Sequence, residues 1–184
     1  MTDDDEIIED PIYARAEALL EKASAAGVMV ATAESCTGGM IAAAMTDVPG
    51  SSVIVDRGIV TYSNEAKAEM LGISMDDIER HGAVSETVAT SMAEGALGRS
   101  NADMTIAVTG VAGPDGGTQE KPVGLVWFAC ASTWAPTLAT SCQFDDNGRA
   151  YIRHHTVLYA LEIMLDTLES RSVREDDGDI VGHA

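Results

Sequence analysis

Ser35 stands in the run Ala33-Glu34-Ser35-Cys36-Thr37-Gly38-Gly39, directly after the apolar stretch 28–32. A strand that breaks into Ser, Cys and Thr and restarts through Gly-Gly into an Ala-rich helix places a hydroxyl at a helix N-terminus. The unpaired backbone N–H groups and positive dipole end found there favour negative charge. They lower the cost of an alkoxide at Ser35, and they equally suit a bound oxyanion or phosphate. A helix cap by Ser35 or Thr37, with no chemistry attached, accounts for the same pattern.

A serine nucleophile needs a base. The histidines are poorly placed for this: His81 falls at a helix-to-loop junction, His154 and His155 on the last helix, and His183 near the end of the chain. A lysine serves if burial lowers its pKa enough to populate the neutral amine. Lys67, in Thr61-Tyr62-Ser63-Asn64-Glu65-Ala66-Lys67, follows an apolar strand and opens a helix, with Tyr62 near enough in sequence to relay a proton or orient the amine. A solvated surface lysine is the plain alternative. That alternative weakens in a chain with only Lys22, Lys67 and Lys121. Cys36 is a rival nucleophile if the helix end lowers its pKa, and otherwise a small buried filler. A third segment, Thr109-Gly110-Val111-Ala112-Gly113-Pro114-Asp115-Gly116-Gly117, follows another strand. It lacks the Gly-Lys-Ser/Thr ending of a P-loop and has no Gly-x-Gly-x-x-Gly, so it is either a backbone anion nest or a long surface loop.

These segments need a scaffold. Apolar spacing predicts helices over 11–26, 38–45, 64–71, 74–80, 86–98 and 148–168 and strands over 28–33, 53–62, 103–109, 123–132 and 137–144. Ser74 and Ser85 read as caps. The intermixed elements predict an α/β fold, a three-layer α/β/α sandwich. The connection between the last two strands, around Pro136, is too short for a crossover helix, so those strands pair antiparallel and the sheet is mixed. One domain spans 11–170. It is flanked by an acidic, flexible N-terminus over 1–10 and a charged, disordered tail over 171–184.

Composition narrows the function. The 184 residues carry a formal charge of −19, with 11 Lys and Arg against 30 Asp and Glu. Such a balance opposes binding to nucleic acid or an anionic membrane. It matches a salt-adapted protein, in which screening relieves self-repulsion. The cysteines Cys36, Cys130 and Cys142 fit no zinc spacing and suit free thiols in a reducing cytoplasm. The acidic start is unlike a signal peptide, and no apolar run has membrane-spanning length.

The chain resembles the C-terminal amidase domain of the CinA competence/damage-inducible family, the nicotinamide-nucleotide amidases, in a form without the family's additional N-terminal domain. The resemblance rests on the three segments above, on His81-Gly82-Ala83-Val84-Ser85-Glu86, on Met92-Ala93-Glu94-Gly95-Ala96 and on Glu120-Lys121-Pro122-Val123-Gly124. It implies hydrolysis of the carboxamide of nicotinamide mononucleotide (NMN) to nicotinic acid mononucleotide and ammonia, in pyridine-nucleotide recycling. It implies Ser35 as nucleophile, Lys67 as base and Tyr62 assisting. Glu34, Cys36, Thr37, Gly38 and Gly39 would lie at the substrate, with backbone amides of that turn holding the oxyanion. Thr109, Gly110, Ala112 and Gly113 would lie against the nucleotide, and Arg149, in Asn147-Gly148-Arg149, would bind its phosphate. No cofactor or metal is implied, and a homodimer or larger homo-oligomer is. The alternative is a non-catalytic nucleotide-binding module of the same family, holding NMN or ADP-ribose.

Overall fold

The computed structural model describes residues 10–179, and of 172–179 only the helical backbone. The flexible termini expected at 1–9 and 180–184 lie outside the described residues. The elements are α1 (Pro11–Ala25), β1 (Val30–Glu34), α2 (Met40–Thr46), β2 (Val55–Val60), α3 (Asn64–Leu71), α4 (Met75–His81), α5 (Glu86–Leu97), β3 (Met104–Gly110), β4 (Leu125–Ser132), β5 (Leu138–Gln143) and α6 (Arg149–Asp179).

The sheet has the order β2-β1-β3-β4-β5. β1 runs parallel to both β2 and β3, whereas β3–β4 and β4–β5 are antiparallel, so the sheet is mixed. The pleat sorts side chains by size. Met104, Ile106 and Val108 of β3 and Val126, Phe128 and Cys130 of β4 join one core with residues of α1, α2 and α6. The alternate positions Ala107, Ala129 and Ala131 join a second core with Val88, Ala89, Met92, Ala93 and Ala96 of α5. Small residues on that face let α5 approach closely, and Thr105 Oγ1 donates to the Ala93 carbonyl at 2.8 Å. A Cβ at Gly95 would stand 2.3 Å from the Leu71 carbonyl oxygen, so only glycine allows α3 and α5 to pack this tightly. Helices on both faces make three layers, α/β/α.

Three sequence expectations change. The strand expected over 53–62 is shorter: 51–53 form a 3-10 turn after the left-handed Gly50, and pairing is confined to Val55–Val60. Ser74 occupies the N-cap position of α4, but its side chain makes no capping bond. The last helix does not end at 168; the part of the expected disordered tail from 171 to 179 is helical. Charge had suggested disorder, yet a solvated helix is equally charged. Lys22 of α1 pairs with Glu169, and Arg171 donates to the Ala26 carbonyl, which fastens α6 to α1 past 168.

Candidate active site

β1 ends in Glu34, which is fully buried. Its carboxylate accepts five hydrogen bonds. Oε1 takes Thr32 Oγ1 at 3.0 Å and Ala42 N at 2.8 Å. Oε2 takes Thr37 Oγ1 at 2.7 Å, Gly39 N at 3.0 Å and Ile41 N at 3.0 Å. Glu34 therefore caps α2 and fills the positive end of its dipole. The helix end expected to receive an oxyanion or phosphate is already occupied by the protein's own carboxylate. Neither Ser35 nor Thr37 caps the helix, which starts later than expected, at Met40. Gly38 and Gly39 have φ of 63° and 99°, in the left-handed region open to glycine, and this turns the chain from the strand into α2.

Freed from capping, Ser35 points its hydroxyl at Lys67, whose Nζ donates to Ser35 Oγ at 3.1 Å and to the Thr61 carbonyl at 2.9 Å. The lysine arrives from α3. Ser63 caps that helix by accepting from Ala66 N at 3.0 Å, and Thr61 N donates to the Glu34 carbonyl at 2.8 Å, which locks the entry to α3 against β1. Lys67 is 1% exposed and, among the described residues, pairs with no carboxylate. Burial pushes its pKa below the ordinary 10.5. Its place in the first turns of α3, near the positive dipole end, further disfavours the cation. The neutral amine is what a base must be. Cys36 is no rival: burial pushes its thiol up to about 12, and it behaves as a filler.

A cavity of about 230 Å³ opens over this pair. Of the residues expected at the substrate, Ser35, Cys36, Tyr62, Lys67, Thr109, Gly110, Ala112 and Arg149 line it. Glu34 and Thr37 do not; both are buried behind the turn and make the cap instead. Gly38, Gly39 and Gly113 also lie off the cavity wall, the first two as the hinge of the turn. Tyr62 is exposed at the rim, and its hydroxyl accepts from Arg149 Nη2 at 3.1 Å rather than meeting Lys67. Arg149 Nη1 donates to the Gly113 carbonyl at 3.0 Å, so the arginine ties the Gly-rich loop to the rim. Thr109 Oγ1 donates to the Ala83 carbonyl at 2.8 Å and braces the opposite wall.

Sequence reasoning missed Asn64, Ala83 and Val84 on the wall. It also missed Arg153, which donates from Nε to the Cys36 carbonyl at 3.2 Å and from Nη2 to the Thr37 carbonyl at 2.8 Å. The spacing of Arg149 and Arg153, one helical turn apart at the start of α6, was the available signal. Among the described residues no group of three His, Cys, Asp or Glu is placed to share a metal ion. No helix among them is long and apolar enough to cross a membrane. A larger groove of about 710 Å³ beside α1 is lined by Tyr13, Leu20 and Val53 and holds no nucleophile–base pair.

The chain is similar to known proteins along most of its length. It is 48% identical over 140 residues to the nicotinamide-nucleotide amidohydrolase PncC of Escherichia coli K12, an alignment covering 76% of this chain and 84% of that protein. It is 47% identical over 169 residues to a CinA-like protein of Akkermansia muciniphila, covering 89% of this chain and 41% of that longer protein. The crystal structure of the competence/damage-inducible protein CihA from Agrobacterium tumefaciens superposes with a TM-score of 0.84 at 48% identity, over 87% of this chain and 96% of that one. The CinA C-terminal domain profile matches residues 13–168, and the chain belongs to that family.

Proposed function

We propose that this protein is a nicotinamide-nucleotide amidohydrolase that cleaves the carboxamide of NMN through a Ser35–Lys67 dyad. The observation that carries the reading is the 3.1 Å contact between the Nζ of a lysine 1% exposed and the hydroxyl of Ser35, at the floor of a cavity. The printed activity of the Escherichia coli relative supports the substrate class. An intact dyad favours an enzyme over a binding module of the same family.

Neutral Lys67 takes the proton of Ser35 as Oγ attacks the amide carbon. The tetrahedral oxyanion is held by backbone N–H. Within 35–39, Ser35 N donates to the Val108 carbonyl, Gly38 N to the Ser35 carbonyl and Gly39 N to Glu34. Cys36 and Thr37 remain; Thr37 is fully buried and Cys36 lines the cavity, so the Cys36 N–H, whose present contact is its own thiol, is the oxyanion donor. The C–N bond breaks as Lys67 returns its proton to the leaving nitrogen, releasing ammonia. Water, deprotonated by Lys67, then attacks the acyl carbon. The C–Oγ bond breaks, Ser35 recovers its proton, and nicotinic acid mononucleotide leaves.

A cavity of about 230 Å³ is small for a whole nucleotide and suits the pyridine carboxamide, with ribose and phosphate toward the open rim. Arg149 is the guanidinium on that rim and the phosphate ligand. The single domain over 11–170 acts in the cytoplasm as a homo-oligomer, and its lysine-poor acidic surface is an adaptation to salt. The test compares NMN, its riboside and free nicotinamide in wild type and Arg149→Ala. Wild type should prefer NMN strongly, and Arg149→Ala should erase the difference between NMN and riboside. Equal turnover of all three by wild type would sink the nucleotide assignment. Tight NMN binding with no ammonia would favour the binding module.

A further inference from the structure

Arg153 stands apart from every ion pair. The chain has 30 Asp and Glu, yet among the described residues the guanidinium meets no carboxylate. Both of its bonds go to carbonyls of the nucleophile's turn, Cys36 at 3.2 Å and Thr37 at 2.8 Å, from a helix more than a hundred residues away in sequence. It does not line the cavity.

The turn carries that contact to the site. The cis peptide of the described chain is Gly113–Pro114, so the peptide units of 35–38 are trans, and each presents C=O and N–H in opposite directions. Arg153 holds the Thr37 oxygen. The N–H at the other end of that peptide, on Gly38, donates to the Ser35 oxygen at 3.2 Å. The N–H at the far end of the Ser35 peptide is that of Cys36, a residue that lines the cavity; this N–H meets its own thiol and bonds no other residue among those described. A cation, two peptide units in series and the Cys36 N–H thus form one chain. Each acceptor bond polarises its peptide and makes the opposite N–H a stronger donor. The second Arg153 bond, to the Cys36 oxygen, fixes the peptide unit in between.

We propose that Arg153 is a positioning residue that orients and polarises the Cys36 N–H as the oxyanion donor. This rests on the Ser35 mechanism proposed above. Because the donor matters when charge develops on the carbonyl oxygen, loss of Arg153 acts on the transition state and leaves ground-state binding alone.

The experiment measures kcat and KM for NMN in wild type, Arg153→Met and Arg153→Lys, and the rate at which an alkyl fluorophosphonate labels Ser35. Removing an oxyanion donor outright costs about 10²–10³-fold in kcat. Weakening one should cost roughly 10- to 100-fold, with KM within about threefold. Arg153→Lys, which keeps the charge and one carbonyl bond, should recover part of the loss. Fluorophosphonate labelling should slow in parallel, since it passes through an anionic phosphoryl centre in the same hole. A kcat for Arg153→Met within about threefold of wild type, or a loss confined to KM, would overturn the proposal. If Arg153→Met does not fold, Arg153→Lys decides: reduced kcat at wild-type KM supports it, and a pure KM effect overturns it. Wild type that labels at Ser35 without releasing ammonia from NMN would count against the substrate, while the labelling rates would still test Arg153.

Discussion

Replacing Glu34 by glutamine keeps the shape of the side chain and exchanges one acceptor oxygen for a donor. The hydroxyls of Thr32 and Thr37 can turn to accept from the new amide, but backbone N–H groups cannot. If the amide nitrogen takes the Oε1 position, Ala42 N–H loses its acceptor; if it takes Oε2, Gly39 and Ile41 N–H lose theirs. One buried N–H left without a partner costs about 1–3 kcal/mol. Losing the negative charge at the N-terminus of α2 costs up to about 2 kcal/mol more in a buried setting, and the surviving bonds weaken from charge-assisted to neutral. The expected total is about 3–5 kcal/mol, a large fraction of the stability of a single domain. The melting temperature followed by circular dichroism should fall by roughly 6–20 °C, at about 2–4 °C per kcal/mol for a domain of this size. The kcat should fall as well, because the same carboxylate sets the turn that carries Ser35. A Glu34→Gln variant within about 0.5 kcal/mol of wild type would refute the assignment of Glu34 as the cap of α2.

Other consequences follow from single contacts. Because burial lowers the Lys67 pKa below 10.5, kcat/KM should rise with pH through that lowered value and level off before 10.5; a limb with its midpoint at or above 10.5 would contradict a buried base. In the folded state Lys67 gives up its proton more readily than in the unfolded chain, so between the two pKa values stability rises with pH. Lys67→Met should therefore be inactive yet at least as stable as wild type near neutral pH, its advantage shrinking as pH approaches 10.5; equilibrium urea unfolding across pH reads this. Gly95→Ala should destabilise by about 1–3 kcal/mol because its Cβ would sit 2.3 Å from the Leu71 carbonyl oxygen, although helix propensity alone favours alanine; a stabilised variant in urea unfolding would contradict the close α3–α5 contact. With a net charge of −19, melting temperature should climb steeply from low to molar salt, and a flat response would remove the case for salt adaptation.

The sequence pointed to Ser35 and Lys67 because each follows a strand, at the end of an open sheet where side chains converge, and the family resemblance gave them their proposed roles. Their partners were harder to read. The resemblance put Glu34 at the substrate. Its role as a cap depends on Gly38 and Gly39 folding the chain back until N–H groups five to eight residues on reach one carboxylate. Tyr62 precedes α3 in sequence and so read as near enough to relay a proton to Lys67 or orient its amine. In space its hydroxyl reaches Arg149 instead, a contact across 87 residues. Arg153 left only its one-turn spacing from Arg149 as a signal, because its partners are 117 and 116 residues away. Periodicity located the α-helices and strands among the described residues, since each buries one face. It failed where the apolar Val53 and Ile54 belong to a turn rather than to β2, and where charge has two meanings, in the end of α6.

The central claim is that Ser35, activated by buried Lys67, cleaves the amide of NMN. The most direct measurement is ammonia release from NMN by the purified protein in high-salt buffer, beside Ser35→Ala and Lys67→Met, with folding checked for each. Release by wild type that falls by about 10⁴-fold or more in both variants is the predicted result. Ammonia release that persists in a folded Ser35→Ala or Lys67→Met protein would contradict it.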